Sequence, residues 1–136
     1  MTQENAKKTV YVSHAKDPEG NYRTELYKPL RENELSQKYN LILPHEHSEE
    51  LFSSREFFRN KCDVIVVEAT TPKLGVGIEA GWADAYDVPI IVLIKKDARL
   101  SNSLSVMARD VIHYENSPDM ISSLQSSLER VLSEPY

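Results

Sequence analysis

A chain of 136 residues with 16 basic and 21 acidic side chains, a net charge of −5 and one cysteine has the size of a single domain, able to bury roughly two-thirds of its extended-chain surface without staples. The lone Cys62 excludes an internal disulfide framework, no C-x-x-C or Cys/His cluster suggests a metal site, and the lack of a Lys/Arg cluster argues against a nucleic-acid polymer as partner. The N-terminal MTQENAKKT has no apolar core like that of a signal peptide, and no apolar run approaches membrane-spanning length, so the expectation is a soluble protein of the reducing cytoplasm.

In chain order, TVYVSH (Thr9–His14) reads as a first strand, and Leu26, Leu30 and Leu35 mark a helical stripe after it. Tyr39–Pro44 reads as a second strand. Leu51, Phe52 and Phe58 mark a second helix, with Ser48 as its cap and Glu49 and Glu50 in its first turn. DVIVV (Asp63–Val67) and IIVLI (Ile90–Ile94) are β-branched or aliphatic runs too short for helices, the pattern of parallel strands buried on both faces. Between them TTPKLGVG turns the chain, and Ile78, Trp82, Ala85 and Tyr86 have the spacing of an amphipathic helix that stops before Pro89. Asp110–Glu115 is the fifth strand. The last helix has Ser117 as cap, Pro118 at its first position and Ile121, Leu124, Leu128, Val131 and Leu132 on one face.

This alternation predicts one α/β domain over 1–136, a three-layer flavodoxin-like or Rossmann-like fold with a five-stranded parallel sheet. Ligands of such folds bind outside the carboxyl ends of the strands, where chain order reverses. The loops to inspect are therefore 14–22, 44–48, 68–77 and 95–107. Asp63 opens its strand at the opposite edge and is discounted as catalytic.

Within the loop after the third strand, the glycines are spaced G-x-G-x-x-x-G and Glu79 follows the second of them. The spacing is wrong for a dinucleotide fingerprint. Glu79 is expected in the first turn of its helix, where the dipole favours a negative charge; acidic residues occur there simply as dipole partners, and a carboxylate held there also suits a nucleophile. Gly75 and Gly77 remove side chains next to it and let a ligand approach the backbone. Gly81, one turn on, is expected to allow close packing of helix on sheet.

The segment DVIVVEATTPKLGVGIEAGWA resembles the signature of the nucleoside 2-deoxyribosyltransferase superfamily, most of all its branch of 2′-deoxynucleoside 5′-phosphate N-hydrolases. Tyr11 near the end of the first strand, His47 after the second and LSVMARD (Leu104 to Asp110) after the fourth fall where that family has a tyrosine, a histidine and a Leu-Ser-x-Met-x-Arg segment. The resemblance covers most of the chain. It implies a homodimer with composite active sites, a glutamate at Glu79 attacking the anomeric carbon, Tyr11 holding that carboxylate by a hydrogen bond, and Ser105 reaching into the partner's site. No metal or organic cofactor is implied.

Departures from the pattern matter equally. The family's aspartate in the helix before the central strand falls at or near Arg55, with Glu56 beside it as the candidate replacement acid. Its phosphate-binding Ser and Arg after the first strand are Ala15 and Asp17 here, and another Ser is Lys73, a cation able to meet a 5′-phosphate from the loop. His14 and His47 end strands at the ligand edge and are candidate contacts to a base or a ribose hydroxyl; His45 and His113 read as structural. Trp82 reads as helix core or dimer contact. The functional expectation is thus an N-glycosidase or base transferase for a nucleoside or its 5′-monophosphate. The alternative is a catalytically reduced nucleotide-binding or sensor module, and flavin binding rests on fold analogy alone.

Overall fold

The computed structural model describes residues 7–16, 20–46 and 54–134. Five strands form one sheet: β1 (Thr9–His14), β2 (Asn40–Ile42), β3 (Val64–Glu68), β4 (Ile90–Lys95) and β5 (Asp110–Tyr114). All neighbours are parallel, in the order β2-β1-β3-β4-β5. Chain order reverses between β1 and β3, the switch point of a flavodoxin-like sheet. Asp63 sits at the far edge, where its carboxylate accepts the Thr9 N–H at 2.7 Å and ties the start of β1 to β3.

Period-two alternation divides the sheet's side chains between two layers. Val10, Val12, Val64, Val66 and Leu93 pack with the leucines and tyrosines that precede β2 and with the last helix. Tyr11, Ile65, Val67, Val92 and Ile94 pack on the other face with Phe58, Val76, Ala80 and Ala83. Helix α3 (Ser54–Asn60) and helix α4 (Leu74–Ala85) lie on this second face. The Leu51 and Phe52 stripe and its Ser48 cap lie outside the described residues.

The helix after β1 is not one rod. It begins in a π-helical turn, Arg23–Tyr27, continues as α1 (Lys28–Glu32), breaks at Asn33 and resumes as α2 (Leu35–Lys38). Pro29 accounts for the first irregularity, because it has no N–H and its ring crowds the carbonyl of residue 25. The widened turn is closed by the Lys28 N–H on the Arg23 carbonyl. At the break, extended Asn33 uses its side chain to accept the Leu35 N–H at 3.1 Å. Leu26, Leu30 and Leu35 are nonetheless all buried.

Helix α4 corrects the sequence expectation in two respects. It starts at Leu74, with Lys73 as N-cap, so Gly75 and Gly77 belong to its first turns and Glu79 to its second turn. Its sheet-facing residues are Val76, Ala80 and Ala83, not Ile78, Trp82 and Ala85. Nearly every position from 74 to 85 is small or apolar, so two stripes compete; the small alanines win because they let the helix approach the sheet. Gly81 is exposed, and a Cβ built there meets nothing within 4 Å, so it serves no close packing.

Helix α5 (Asn102–Met107) connects β4 to β5, and α6 (Ser117–Ser133) closes the chain. The α6 cap is Asn116, one residue before the expected Ser117: its side chain accepts the Asp119 N–H at 2.9 Å, while Asp119 accepts the Glu115 N–H at 3.0 Å. Ser117 instead donates to the Glu25 carbonyl at 3.1 Å. Asn116→Ala should cost about 1 kcal/mol and lower the melting temperature by about 4 °C. A thermal melt with no shift would show that Asp119 alone secures this end.

Candidate active site

The site starts from two periodicities that meet. On β1, Tyr11 and Ser13 are two residues apart and so share the face that carries α4. On α4, Glu79 falls with Val76, Ala80 and Ala83 on the spacing i, i+3, i+4, i+7, so the carboxylate lies on the stripe that packs against the sheet. The two rows meet in a pair of hydrogen bonds. Tyr11 Oη donates to Glu79 Oε2 at 2.8 Å, and Ser13 Oγ donates to Oε1 at 2.7 Å. Each oxygen is therefore fixed by its own donor.

The tyrosine is itself locked. Its ring meets Phe58 edge-on at 4.8 Å between centroids and lies tilted on Phe57 at 5.6 Å. Tyr11 and Ser13 are buried, whereas Glu79 is half-buried. A serine between Val12 and His14 in a strand belongs to no motif of its own. The signal that finds it is its position two residues after Tyr11 in a strand.

Across the sheet edge, a second carboxylate ends β3 opposite His14. Glu68 accepts hydrogen bonds from the hydroxyls of Tyr114 and Thr70 and from the Thr70 N–H. Thr70 Oγ1 in turn accepts the Lys95 N–H at 3.0 Å. The ends of β3, β4 and β5 are thus tied by one network. Burial, reinforced by Glu68, pushes the Tyr114 phenol well above its usual range, so it stays a donor.

His14 lies half-buried on the face opposite Glu79. Because the Ala15 carbonyl only accepts, Nδ1 carries the proton in their 2.9 Å contact. Nε2 then accepts from Tyr27 Oη at 2.6 Å, and Tyr27 Oη accepts the His45 N–H at 3.1 Å. The Tyr22 ring lies over the imidazole at 4.6 Å. Desolvation is the largest influence on this histidine and holds its pKa below the ordinary 6.5, against the opposing pull of its hydrogen bond to the Ala15 carbonyl and, more weakly, of Glu68 and Glu79.

Two cavities open at this edge. One of about 300 Å³ is lined by His14, Lys16, Tyr22, Glu68, Lys95 and Tyr114. The other, about 420 Å³ and more apolar, lies between the start of α4 and α5 and is lined by Val76, Gly77, Leu100, Leu104 and Met107. Thr71 and Lys73 border both.

The remaining candidates are more scattered. Gly75 and Gly77 are exposed, and a Cβ at either would meet nothing within 4 Å, so the approach to the start of α4 is open. Glu56 is exposed on α3, where it accepts a 3.5 Å contact from Asn60 Nδ2. Ser105 is exposed on α5 and donates to the Asn102 carbonyl at 2.7 Å. His47 and Asp17 lie outside the described residues. Cys62 is no nucleophile: burial pushes its thiol up to about 12, and it donates to the Val64 carbonyl at 3.1 Å. Among the described residues, no three His, Cys, Asp or Glu side chains gather as a metal site, and no helix is long and apolar enough to cross a membrane.

Strand order and layering define a doubly wound, three-layer α/β protein with a hydroxyl-clamped carboxylate beside its switch point. No protein-family model matches the chain, and no curated protein does. Among solved structures it is similar to BcmB, the CMP N-glycosidase of Clostridium botulinum, with a TM-score of 0.63 and 15% identity over 89% of this chain and 100% of that one. At that identity the likeness establishes the fold.

The imidazole makes a prediction. With a folded pKa below 6.5, the unfolded chain binds protons first as the pH drops. The stability tied to His14 is therefore complete above about pH 6.5 and declines below it until the folded imidazole also protonates. Melting temperatures recorded between about pH 7 and pH 5 should fall less steeply for His14→Asn than for the parent. Equal slopes would place the titration on other groups.

Proposed function

We propose that this protein is an N-glycosidase acting on a nucleoside or its 5′-monophosphate, with Glu79 as nucleophile and Tyr11 as the group that orients it. The observation that carries the reading is the Tyr11–Glu79 pair beside the β1/β3 switch point, at the edge where such sheets bind ligands. The fold shared with a CMP N-glycosidase adds to it.

The chemistry asks for what this corner offers. As the C1′–N bond breaks, its electron pair leaves on the base nitrogen and the sugar becomes oxocarbenium-like, a cation that a nearby carboxylate oxygen traps by forming a C1′–O bond. Water then attacks C1′ and the C1′–O bond to Glu79 breaks; the hydroxyl stays on the sugar, and the proton balances the released base. A second free base in place of water gives transfer.

Lys73 is our candidate for a 5′-phosphate, since it borders both cavities and its ammonium makes no hydrogen bond or ion pair with any described residue. Gly75 and Gly77 leave the backbone open beside it, and His14 borders the smaller cavity as a contact for base or ribose. His47 is assigned to the same ligand edge on sequence grounds. Glu56 is assigned protonation of the departing base, the task of the family aspartate whose place falls at or near Arg55.

A homodimer is part of this reading. Leu74 and Val106 are 82% and 84% exposed on α4 and α5, the helices that flank the larger cavity, and Ile78 is exposed beside them. Apolar side chains so placed suit a subunit interface, which would bring the partner's Ser105 to the site. Val106→Glu should shift the protein from dimer to monomer in sedimentation or light scattering; an unchanged mass would remove α5 from the interface.

One observation favours a second reading, a nucleotide-binding module without turnover: Glu56 is exposed and engaged with Asn60. The deciding experiment supplies ribo- and deoxyribonucleosides and their 5′-monophosphates, with and without a second base, and follows released base by chromatography. Base release by the parent that falls at least about 10³-fold in Glu79→Gln supports the N-glycosidase. No release from any substrate, with a ligand-induced rise in melting temperature, supports the binding module.

A further inference from the structure

We infer that Ser13 is a positioning residue for the Glu79 carboxylate, the second arm of a clamp whose first arm is Tyr11. The inference rests on the N-glycosidase reading for its kinetic consequence, but its geometry stands without it. Ser13 is 1% exposed and flanked in β1 by Val12 and His14. Its hydroxyl reaches Glu79 Oε1 at 2.7 Å, its hydrogen-bond partner across 66 residues of sequence. Nothing in the packing asks for a hydroxyl here, since the apolar layer around β1, β3 and α4 would accept alanine. The carboxylate asks for it.

One donor would leave the carboxylate free to swing about its own bond to the side chain. Two donors on different oxygens stop that rotation and present the group in one orientation. They also divide the chemistry. When one oxygen bonds to C1′, the donor on the other holds the ester carbonyl. When water releases the sugar, the donor on the bonded oxygen meets the charge that returns to it. Ser13 touches neither sugar nor base; it acts through Glu79.

The expected result is a loss in kcat with little change in KM. Ser13→Ala should lower kcat about 10- to 100-fold, the rate equivalent of one hydrogen bond to a charged group, while KM moves by less than about threefold. Ser13→Cys, of similar size but a weak donor, should fall between the two. A change confined to packing would give Cys and Ala no such order.

Thermal melts of Ser13→Ala, Glu79→Ala and the double variant provide an arm independent of catalysis. The double variant should lose less than the sum of the single losses, because either single change already breaks the bond. Non-additive melts with no base release by the parent would keep the clamp and overturn the N-glycosidase. Base release with an unchanged kcat in Ser13→Ala would keep the enzyme and overturn the positioning role. Additive melts would remove the clamp itself.

Discussion

A carboxylate on the packed face of a helix is the constraint from which the rest of this site follows. Left without partners there, its charge would lose hydration on the packed side with nothing to replace it. β1 meets the demand with two hydroxyls, one from Tyr11 and one from Ser13, each on its own oxygen. These bonds fix more than a side chain: they set the rotation of α4 about its axis. Had Ile78 and Trp82 turned inward, Glu79 would have left the sheet and both hydroxyls would be buried without this partner. The alanines at 80 and 83 make the chosen rotation close-packed, so polar and apolar requirements select the same face.

Once α4 is set, the loop before it is set as well. Lys73, as its N-cap, stands where both cavities meet, and the Glu68–Thr70–Tyr114 network fixes the loop's other end to β4 and β5. The segment between them is short and anchored on both sides. That anchoring holds the Lys73 backbone between the two cavities. The two faces of the edge are also chemically distinct. The α4 face offers a clamped carboxylate, and the opposite face offers a nearly neutral cluster of His14, Tyr22 and Tyr27, whose hydroxyl and imidazole satisfy one another.

The fold was legible because its strongest signals were long-range averages. Buried parallel strands must be continuous apolar runs, and five of them in alternation with helices leave few architectures. Local details were legible only where one residue decided them. Pro29 inside a leucine stripe already forecast an irregular helix, yet periodicity alone read it as continuous. The α6 cap moved by one residue because Asn and Ser stand side by side and both can cap. In α4 periodicity was degenerate: 78, 82, 85 and 76, 80, 83 are both good stripes, and the larger apolar residues drew the reading to the one that does not face the sheet. Pattern rules fail at this point because a carboxylate on the packed face violates them and is compensated from a distant strand.

That failure explains why Glu79 could be singled out and Ser13 could not. Glu79 stands out against an apolar, glycine-rich background, so its identity alone draws notice. Ser13 differs from alanine by one oxygen, and its purpose exists only when β1 and α4 are brought together. The same argument bears on the dipole. Sequence reasoning placed Glu79 in the first turn, where the helix itself would stabilise a charge. In the second turn that help has faded, since the first-turn N–H groups are spent farther back. The stabilisation must come from side chains, and side chains give what a dipole does not: a direction for each oxygen. A carboxylate meant only to neutralise a helix end needs no orientation. This one has an orientation, and two hydroxyls from one strand supply it.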